Sequence, residues 1–538
     1  MDNILQIYEL TKLVCEEIND SPTLYAMALT CHALSEPSLD VLWRNIYSFE
    51  PLLCCLPPDL LYESNFTSED SVLSKITLVG NRRTPTGADL DRYLSCYARR
   101  IQRFVLRPTE KMKIMSTEFL SALKFATGGV PGALCPNIKE FYLLATPWSA
   151  HHSIPGLIIQ LASTLPLVIG ESDSIEAFGV LAASPFSDDV QAIYEVLQRA
   201  PCIKTLMLSI DSISPNALTG PIFDNWLAPS GLSPRWTNLE YLQVDSITGA
   251  SVDHLASLPN LATFILADQM DVLANPPCVV TSNTEKFRAL RELRVHSRRL
   301  EIATRLVRHL PPRSSLRILE CTTPQPATLN EATDAIYAAE AHTSPFTLES
   351  LRLEDCVVPD LDQSQPLDFD VNNPHSPLAR YLDANIRISC FLPFSRLREL
   401  SLCFYPRVSV SPEDIALIPT SWPNLTVLNL RGTFPILRQP TLDHTHLVYL
   451  IERCPSIRVL GLPVDVRRVQ GTESIPGGRF PLQKLYVCGS PIDSSERVQA
   501  FMQTNLPEVE VVVRYQTWLY TNSESEMVWA EVWGDIGD

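Results

Sequence analysis

The feature that most constrains this chain is a phrase that it keeps repeating. At Trp422 to Thr433 it reads WPNLTVLNLRGT, with Leu425, Leu428 and Leu430 in the pattern L-x-x-L-x-L. That spacing places Leu428 and Leu430 on one face of a short strand and Val427, Asn429 and Arg431 on the other. A lone strand of this kind has nothing to bury its leucines against. The phrase returns as CIKTLML, NLEYLQV, NLATFIL, ALRELRV, SLRILEC, TLESLRL, RLRELSL, SIRVLGL and PLQKLYV. Repetition on this scale predicts a stacked array in which each unit covers its neighbour.

An opening strand is expected at Leu73, Ile76 and Leu78, and the next at Ile101, Phe104 and Leu106. Later first positions fall at Ile138, Ile203, Leu239, Leu261, Leu290, Leu316, Leu348, Leu397, Leu425, Ile457, Leu482 and Leu506, with a weaker candidate at Ile175. Helices are expected between them. Val190, Ile193, Tyr194 and Leu197 line one helical face after the acids Asp188 and Asp189, and Leu447, Leu450, Ile451 and Cys454 do the same before Pro455. The 43 prolines against 19 glycines suit such a layout, because proline punctuates the junctions and few positions need positive φ. The fold class expected is α/β: a right-handed solenoid of irregular leucine-rich repeats over residues 71–520, with a parallel inner sheet and outer helices. A small helical head at 1–48 and a linker at 49–70 precede it.

Hydrophobic residues make up 45% of the chain, enough for a continuous core. The formal charge of −18 argues against nucleic acid or an anionic membrane as partner, since the linear sequence shows no local basic patch. The start, MDNILQIYEL, has an acid and no basic region ahead of an apolar core, so no secretory signal is expected. The most apolar run, Gly156 to Gly170, contains Gln160, Ser163, Thr164 and Pro166 and is too short to span a bilayer. An intracellular place, cytoplasmic or nuclear or both, is therefore expected. The 14 cysteines include no C-x-x-C pair, and several occupy apolar repeat positions, which predicts buried reduced thiols.

Residues 4–46 read ILQIYELTKLVCEEINDSPTLYAMALTCHALSEPSLDVLWRNI. Leu10, Leu13, Val14 and Ile18 follow helical spacing. Asp20 or Ser21 before Pro22 caps a second helix carrying Leu24, Met27, Ala28 and Cys31, and Ser35 opens a third through Leu39, Leu42 and Trp43. About 40 residues make no robust core alone, so this unit needs a partner or the repeats behind it.

The stretch ALTCHALSEPSLDVLW resembles the F-box or F-box-like motif that opens many fungal proteins with irregular leucine-rich repeats. The resemblance covers about 43 residues closely and the rest only as a repeat class. It implies docking on the Skp adaptor of a cullin-RING ubiquitin ligase, with the repeats choosing the substrate. Carried over by position, the adaptor-facing residues are Ile7, Leu10, Leu13, Leu24, Ala28, Leu29, Leu39, Leu42 and Trp43. The chain departs from the family at Tyr8, where Leu-Pro or Ile-Pro usually heads the first helix; without proline the helix start is less fixed.

The widest gap between strands, Leu348 to Leu397, holds the Asp- and Pro-rich segment VPDLDQSQPLDFDVNNPHSP. An extended loop insertion is expected at 357–378. The acidic tail at 521–538, with Trp529 and Trp533, is expected to cap the last repeat's apolar edge, with an acidic peptide for a partner as the alternative.

Phosphate-binding, dinucleotide, zinc-protease and serine-hydrolase motifs are all missing from the sequence, so no catalytic residues, no metal and no cofactor are expected. The close histidines, His151 with His152 and His444 with His446, read as loop or helix-start residues. The sequon at Asn424 precedes a buried strand and suits no glycan, and that at Asn65 means little without secretion.

The informative side chains are those opposite the leucines. Central strands present Glu292, Arg294 and His296, then Ile318 and Glu320, then Ser350, Arg352 and Glu354; earlier ones offer Tyr142, Met207, Tyr241 and Gln243, and later ones Asn429, Arg431, Lys484 and Tyr486. Arginines and aromatics anchor interfaces. The expected substrate-binding set is Tyr142, Tyr241, Gln243, Glu292, Arg294, His296, Glu320, Arg352, Glu354, Asn429, Arg431 and Tyr486. The reading that follows is a non-catalytic substrate receptor holding an unknown protein for ubiquitin transfer; the alternative is a leucine-rich scaffold uncoupled from ubiquitination.

Overall fold

The structure is a computed structural model describing residues 7–65, 77–107, 113–144, 161–170, 174–183, 187–211, 226–227, 231–232, 235–245, 247, 249–267, 286–325, 327–355, 386–404, 408–432, 440–475, 480–487 and 490–512. The chain divides into two compact units, Met1–Asp245 and Ser246–Asp538, where the sequence suggested one uninterrupted array behind a head. The expected insertion at 357–378, the tail at 521–538 and the pair His151 with His152 lie outside the described residues.

The first unit opens with helices α1 (Tyr8–Glu16), α2 (Ser21–Thr30) and α3 (His32–Arg44). Asp20 caps α2, accepting from the Thr23 backbone N–H at 2.9 Å, and Pro22 lies in the first turn. The third helix starts at His32 rather than at Ser35 and takes Pro37 into its body. Cys31 alone is extended between the two helices, and its carbonyl accepts from the N–H groups of Leu34 and Ser35, which starts the helix early. Pro37 sits one turn in, where its missing N–H forfeits a bond to Ala33.

Immediately after Arg44 the two-residue strand Asn45–Ile46 pairs in parallel with Arg103–Leu106. The expected linker thus contains structure: a helix at Glu50–Cys55, with Leu52 and Leu53 buried, and a strand at Leu61–Asn65. The expected opening strand is also corrected. Thr77–Asn81 belongs to a separate small sheet, antiparallel to Leu61–Asn65 and parallel to Lys113–Met115. Its burial does not alternate, since Val79 and Gly80 are buried in succession, and both of its partner strands stand apart from the array; Leu73 and Ile76 lie outside the described residues.

The parallel sheet of the first unit runs Asn45–Ile46, Arg103–Leu106, Glu140–Leu144, Ala177–Ala183, Thr205–Asp211, Tyr241–Val244. The weaker candidate at Ile175 introduces the strand Ala177–Ala183, and Ile175 is buried. The second unit's sheet runs Thr263–Leu266, Glu292–His296, Ile318–Thr323, Ser350–Asp355, Glu399–Phe404, Val427–Gly432, Val459–Gly461, Lys484–Tyr486, Glu510–Val512, again all parallel. Parallel neighbours need a crossover between them. Helices such as Leu300–Arg308, Leu329–His342, Pro412–Ser421 and His444–Arg453 supply it. The result in each unit is a solenoid-like repeat of strand and return.

Local sequence explains where the helices begin. Thr328 with Glu331 and Ser411 with Asp414 form reciprocal capping boxes, and Asp443 with His446 does the same. His446 is therefore a helix-start residue. Its Nδ1 lies 2.7 Å from the Asp443 carboxylate.

The core consists of in-register rows. Leu293, Leu319, Leu351, Leu400, Leu428, Leu460 and Leu485 lie side by side on successive strands, all buried. In the first unit Phe104, Phe141 and Phe178 occupy the equivalent row, their rings stacked at 6.2 and 5.7 Å, and Phe49 joins Phe104 at 4.9 Å. Such offset ring pairs add attraction beyond area burial. With one sheet face committed to these rows, the other face is left to carry polar side chains.

Candidate protein-binding surfaces

In the second unit the expected residues fall into ladders on adjacent strands, about 4.8 Å apart. Arg294, Glu320, Arg352, Ser401, Asn429, Gly461 and Tyr486 form one row. His296, Thr322, Glu354, Cys403 and Arg431 form the next. Glu320 sits between two arginines, 3.6 Å from Arg294 and 3.5 Å from Arg352. Arg294 also meets Glu292 at 2.5 Å, and Arg352 meets Glu354 at 2.9 Å. In these pairs the arginine is the more exposed partner, at 40% for Arg294 and 51% for Arg352 against 14% for Glu320. The carboxylates lie closer to the sheet. His296 Nδ1 lies 2.5 Å from the Thr322 hydroxyl.

Farther along, the face closes over. The Ser401 hydroxyl donates to Glu354 at 2.5 Å, and the Asn429 amide N–H groups reach Ser401 Oγ at 2.9 Å and Cys403 Sγ at 3.1 Å. The Arg431 guanidinium stands 4.1 Å above the Tyr486 ring. Glu354, Asn429 and Arg431 are buried, so at these positions the expected solvent-presented patch is a packed polar network. Gly461 makes room for it: a Cβ there would lie 2.3 Å from Asn429 Oδ1. Cys403, inside the network, has its thiol pushed up to about 11 by burial.

Tyr142, Tyr241 and Gln243 belong to the first unit and form a separate group. Tyr142 shares a row with Gly179, Met207 and Gln243. Its ring covers Gly179, where a Cβ would meet Tyr142 Cδ1 at 2.6 Å, and Arg103 stands 5.4 Å from the ring centre. The Tyr241 hydroxyl donates to Gln243 Oε1 at 3.1 Å. Half-buried aromatic side chains therefore dominate here, whereas arginine and glutamate dominate in the second unit.

The head offers a different surface. In α1 the side chains turned to the core are Thr11 and Cys15, the latter 3.5 Å from Ser38 Oγ. Leu10, Leu13 and Val14 are exposed, with Leu13 at 58%, and on α2 Tyr25 and Leu29 are exposed, Leu29 at 70%. Ile7 and Tyr8 are exposed as well. The head thus carries exposed apolar side chains on both α1 and α2 among the described residues. Val14 and Tyr25 are among these, although the motif carry-over did not include them.

Other expected adaptor residues lie elsewhere. Leu24 is buried, and Ala28, Leu39 and Leu42 are half-buried. Trp43 stacks on Tyr97 at 4.2 Å and meets the edge of Tyr93 at 6.2 Å, so it packs against the C-terminal end of the helix Gly87–Cys96 instead of facing outward. Tyr8, the departure from the family pattern, donates its hydroxyl to Asp40 of α3. Burial, and then that hydrogen bond, push its phenol up to about 12. Arg100, itself buried, binds Asp40 and meets Glu36 at 2.6 Å, which fastens α3 to the Ala98–Arg100 turn.

No protein-family model and no curated protein sequence matches the chain. Among solved structures, a chain of the yeast Rad7–Elc1 complex aligns at 14% identity and a TM-score of 0.36, over 94% of this chain and 93% of that one. A chain of the glycosylated Drosophila Toll–Spatzle complex aligns at 11% identity and a TM-score of 0.30, over 83% of this chain and 54% of that one.

Proposed function

We propose that this protein is a non-catalytic substrate receptor of an SCF-type cullin-RING ubiquitin ligase, acting in the cytoplasm, the nucleus or both. The head takes a Skp-type adaptor, and the polar strand face of the second unit takes a protein substrate. The observation that carries this reading is the exposure of Ile7, Leu10, Leu13 and Val14 at and along α1 and of Tyr25 and Leu29 on α2, in a three-helix head whose sequence resembles an adaptor-binding motif. Exposed leucines in such number are what a docking helix pair offers to a partner. The chain's contribution is proximity: it holds a protein beside enzymes bound elsewhere in the complex.

A specific observation favours a second reading. Arg100 binds Asp40 and Glu36 of α3 and Trp43 stacks on Tyr97, which tie the head to the segment behind it, as an end cap of an uncoupled scaffold would be tied. Both readings are tested by capture of the purified whole chain with a Skp adaptor from the same source, beside Leu13→Asp and Leu29→Asp variants. Co-elution that is lost in both variants supports the receptor. A folded wild-type chain that captures no adaptor refutes it and leaves the scaffold. Reversal of Arg294 and Arg352 to glutamate separately reads the strand face, with loss of partner recovery expected and unchanged adaptor capture.

A further inference from the structure

One row of the second unit remains outside the ladders described above. It consists of the residue that follows the first leucine of each repeat. Backbone bonds link these positions strand to strand: Arg317 N–H to Arg291 O, Glu349 to Arg317, Arg398 to Glu349, Thr426 to Arg398, Arg458 to Thr426 and Gln483 to Arg458. The row therefore reads Arg291, Arg317, Glu349, Arg398, Thr426, Arg458, Gln483. All four arginines are exposed. In a chain of formal charge −18 this is a local concentration of positive charge, and it corrects the expectation that no basic patch exists.

The only carboxylate in the row is already committed. Arg317 donates to Glu349 through Nε at 3.1 Å and Nη2 at 2.9 Å. That bond, and beyond it the charges of Arg398 and Arg396, hold the Glu349 carboxyl below the ordinary carboxylate range. Arg291 is held by Ser315. Among the described residues, the Arg458 side chain has no hydrogen-bond or ion-pair partner, and Arg398 has only the more distant Glu349. The neighbouring row carries Glu292, Glu399, Lys484 and Glu510, of which Glu292 is taken by Arg294 and Glu510 by Lys484. Glu399 accepts from Ser350 at 3.0 Å. Guanidinium groups thus outnumber free carboxylates along this edge.

We propose that this arginine row is a docking strip for an extended, Asp/Glu-rich segment of the partner protein, an inference that rests on the second unit's strand face being protein-binding. The guanidinium fork fits carboxylates two hydrogen bonds at a time. Five strand steps from Arg291 to Arg458 span about 24 Å at 4.8 Å each, the length of about seven extended residues. Acidic side chains at several positions of such a segment meet arginines in turn. The chain's overall negative charge keeps longer polyanions away, which favours a short acidic peptide over nucleic acid.

The test uses the whole chain and a fluorescein-labelled deca-glutamate probe, read by anisotropy. Expected is saturable binding that weakens as salt rises, falls at least about tenfold in Arg398→Glu with Arg458→Glu, and persists in an equal-charge control, Lys124→Glu with Arg199→Glu. The milder Arg398→Gln with Arg458→Gln pair serves if the reversal fails to fold, with an intermediate loss expected. No binding by the wild type, equal loss in the control, or tighter binding of a single-stranded ten-nucleotide DNA would each overturn the inference. Absent probe binding, together with partner recovery that Arg294 and Arg352 reversal abolishes, overturns the acidic strip alone and leaves the strand-face reading standing.

Discussion

The indole of Trp43 lies flat on the phenol ring of Tyr97, with centroids 4.2 Å apart and planes 19° from parallel. This contact spends on the fold a residue that the motif resemblance assigned to an adaptor. Trp43→Ala is expected to cost on the order of 2 kcal/mol, below the range for a fully buried tryptophan because Trp43 is only half-buried. Leu13→Asp, on the exposed face of α1, is expected to stay within about 0.5 kcal/mol of wild type. Urea unfolding of the two variants separates them; equal losses would mean that the α1 face is covered.

Tyr8 ties the start of α1 to α3 through a hydrogen bond. Its hydroxyl reaches Asp40 from the first residue of α1, where Ile7 provides no side-chain cap. Tyr8→Phe should destabilise the head by at most about 1 kcal/mol, since the pair is partly exposed. Hydrogen exchange at the amides of Thr11 to Cys15 should quicken while that of the strand amides stays unchanged. An unchanged pattern in α1 would show that the bond does not hold the helix.

Gly461 and Asn429 are a matched pair. Gly461→Ala places a Cβ against a buried amide that already serves Ser401 and Cys403, so a loss of about 2 kcal/mol or more is expected. Adding Asn429→Ala should make the second change cost less than it does alone, a coupling of about 1 kcal/mol in a double-mutant cycle. Additive losses would disprove the contact.

The buried thiols predict an alkaline weakening. Burial pushes Cys135 up to about 12 and Cys403 up to about 11, above the unfolded value of about 8.5. A folded pKa raised in this way contributes stability that is complete below pH about 8.5 and drains away as pH rises toward the folded values. Unfolding free energy should therefore fall between pH 8.5 and 10.5, less steeply in Cys403→Ala. Native alkylation at pH 8, read by mass spectrometry, should mark the exposed Cys31, Cys54, Cys96 and Cys202 and spare Cys15, Cys135, Cys321 and Cys403.

The strand positions were legible because burial of the repeated leucines demands a fixed spacing, and even the weak signal at Ile175 led to a strand. The orientation of α1 was not legible. Leu10, Leu13 and Val14 follow helical spacing, but periodicity names the apolar face of a helix without saying whether anything covers it, and the side chains turned to the core are Thr11 and Cys15. Asn45–Ile46 was missed because two residues offer no alternation to detect; its pairing depends on Arg103–Leu106, far away in the chain. Likewise, Glu354, Asn429 and Arg431 stand at outward positions yet are buried, since alternation distinguishes the two sides of a sheet and not water from packing. The arginine row is written in LRE, LRI, LRE and IRV, one arginine to a repeat, so no stretch of the linear sequence is basic and the charge gathers only when the strands pair.

The absence of slack between Arg44 and Asn45 bears on how any clasped partner is presented. The last residue of α3 runs directly into the first strand, and Arg100 bolts the same helix to the turn beside it. A molecule seated on α1 and α2 is thus carried on a rigid bracket, at a fixed bearing to the first unit's sheet, and not on a tether that searches a sphere. Where such a molecule points is set by the pairing of Asn45–Ile46 with Arg103–Leu106 and by the Arg100 contacts, and not by any swing of the head.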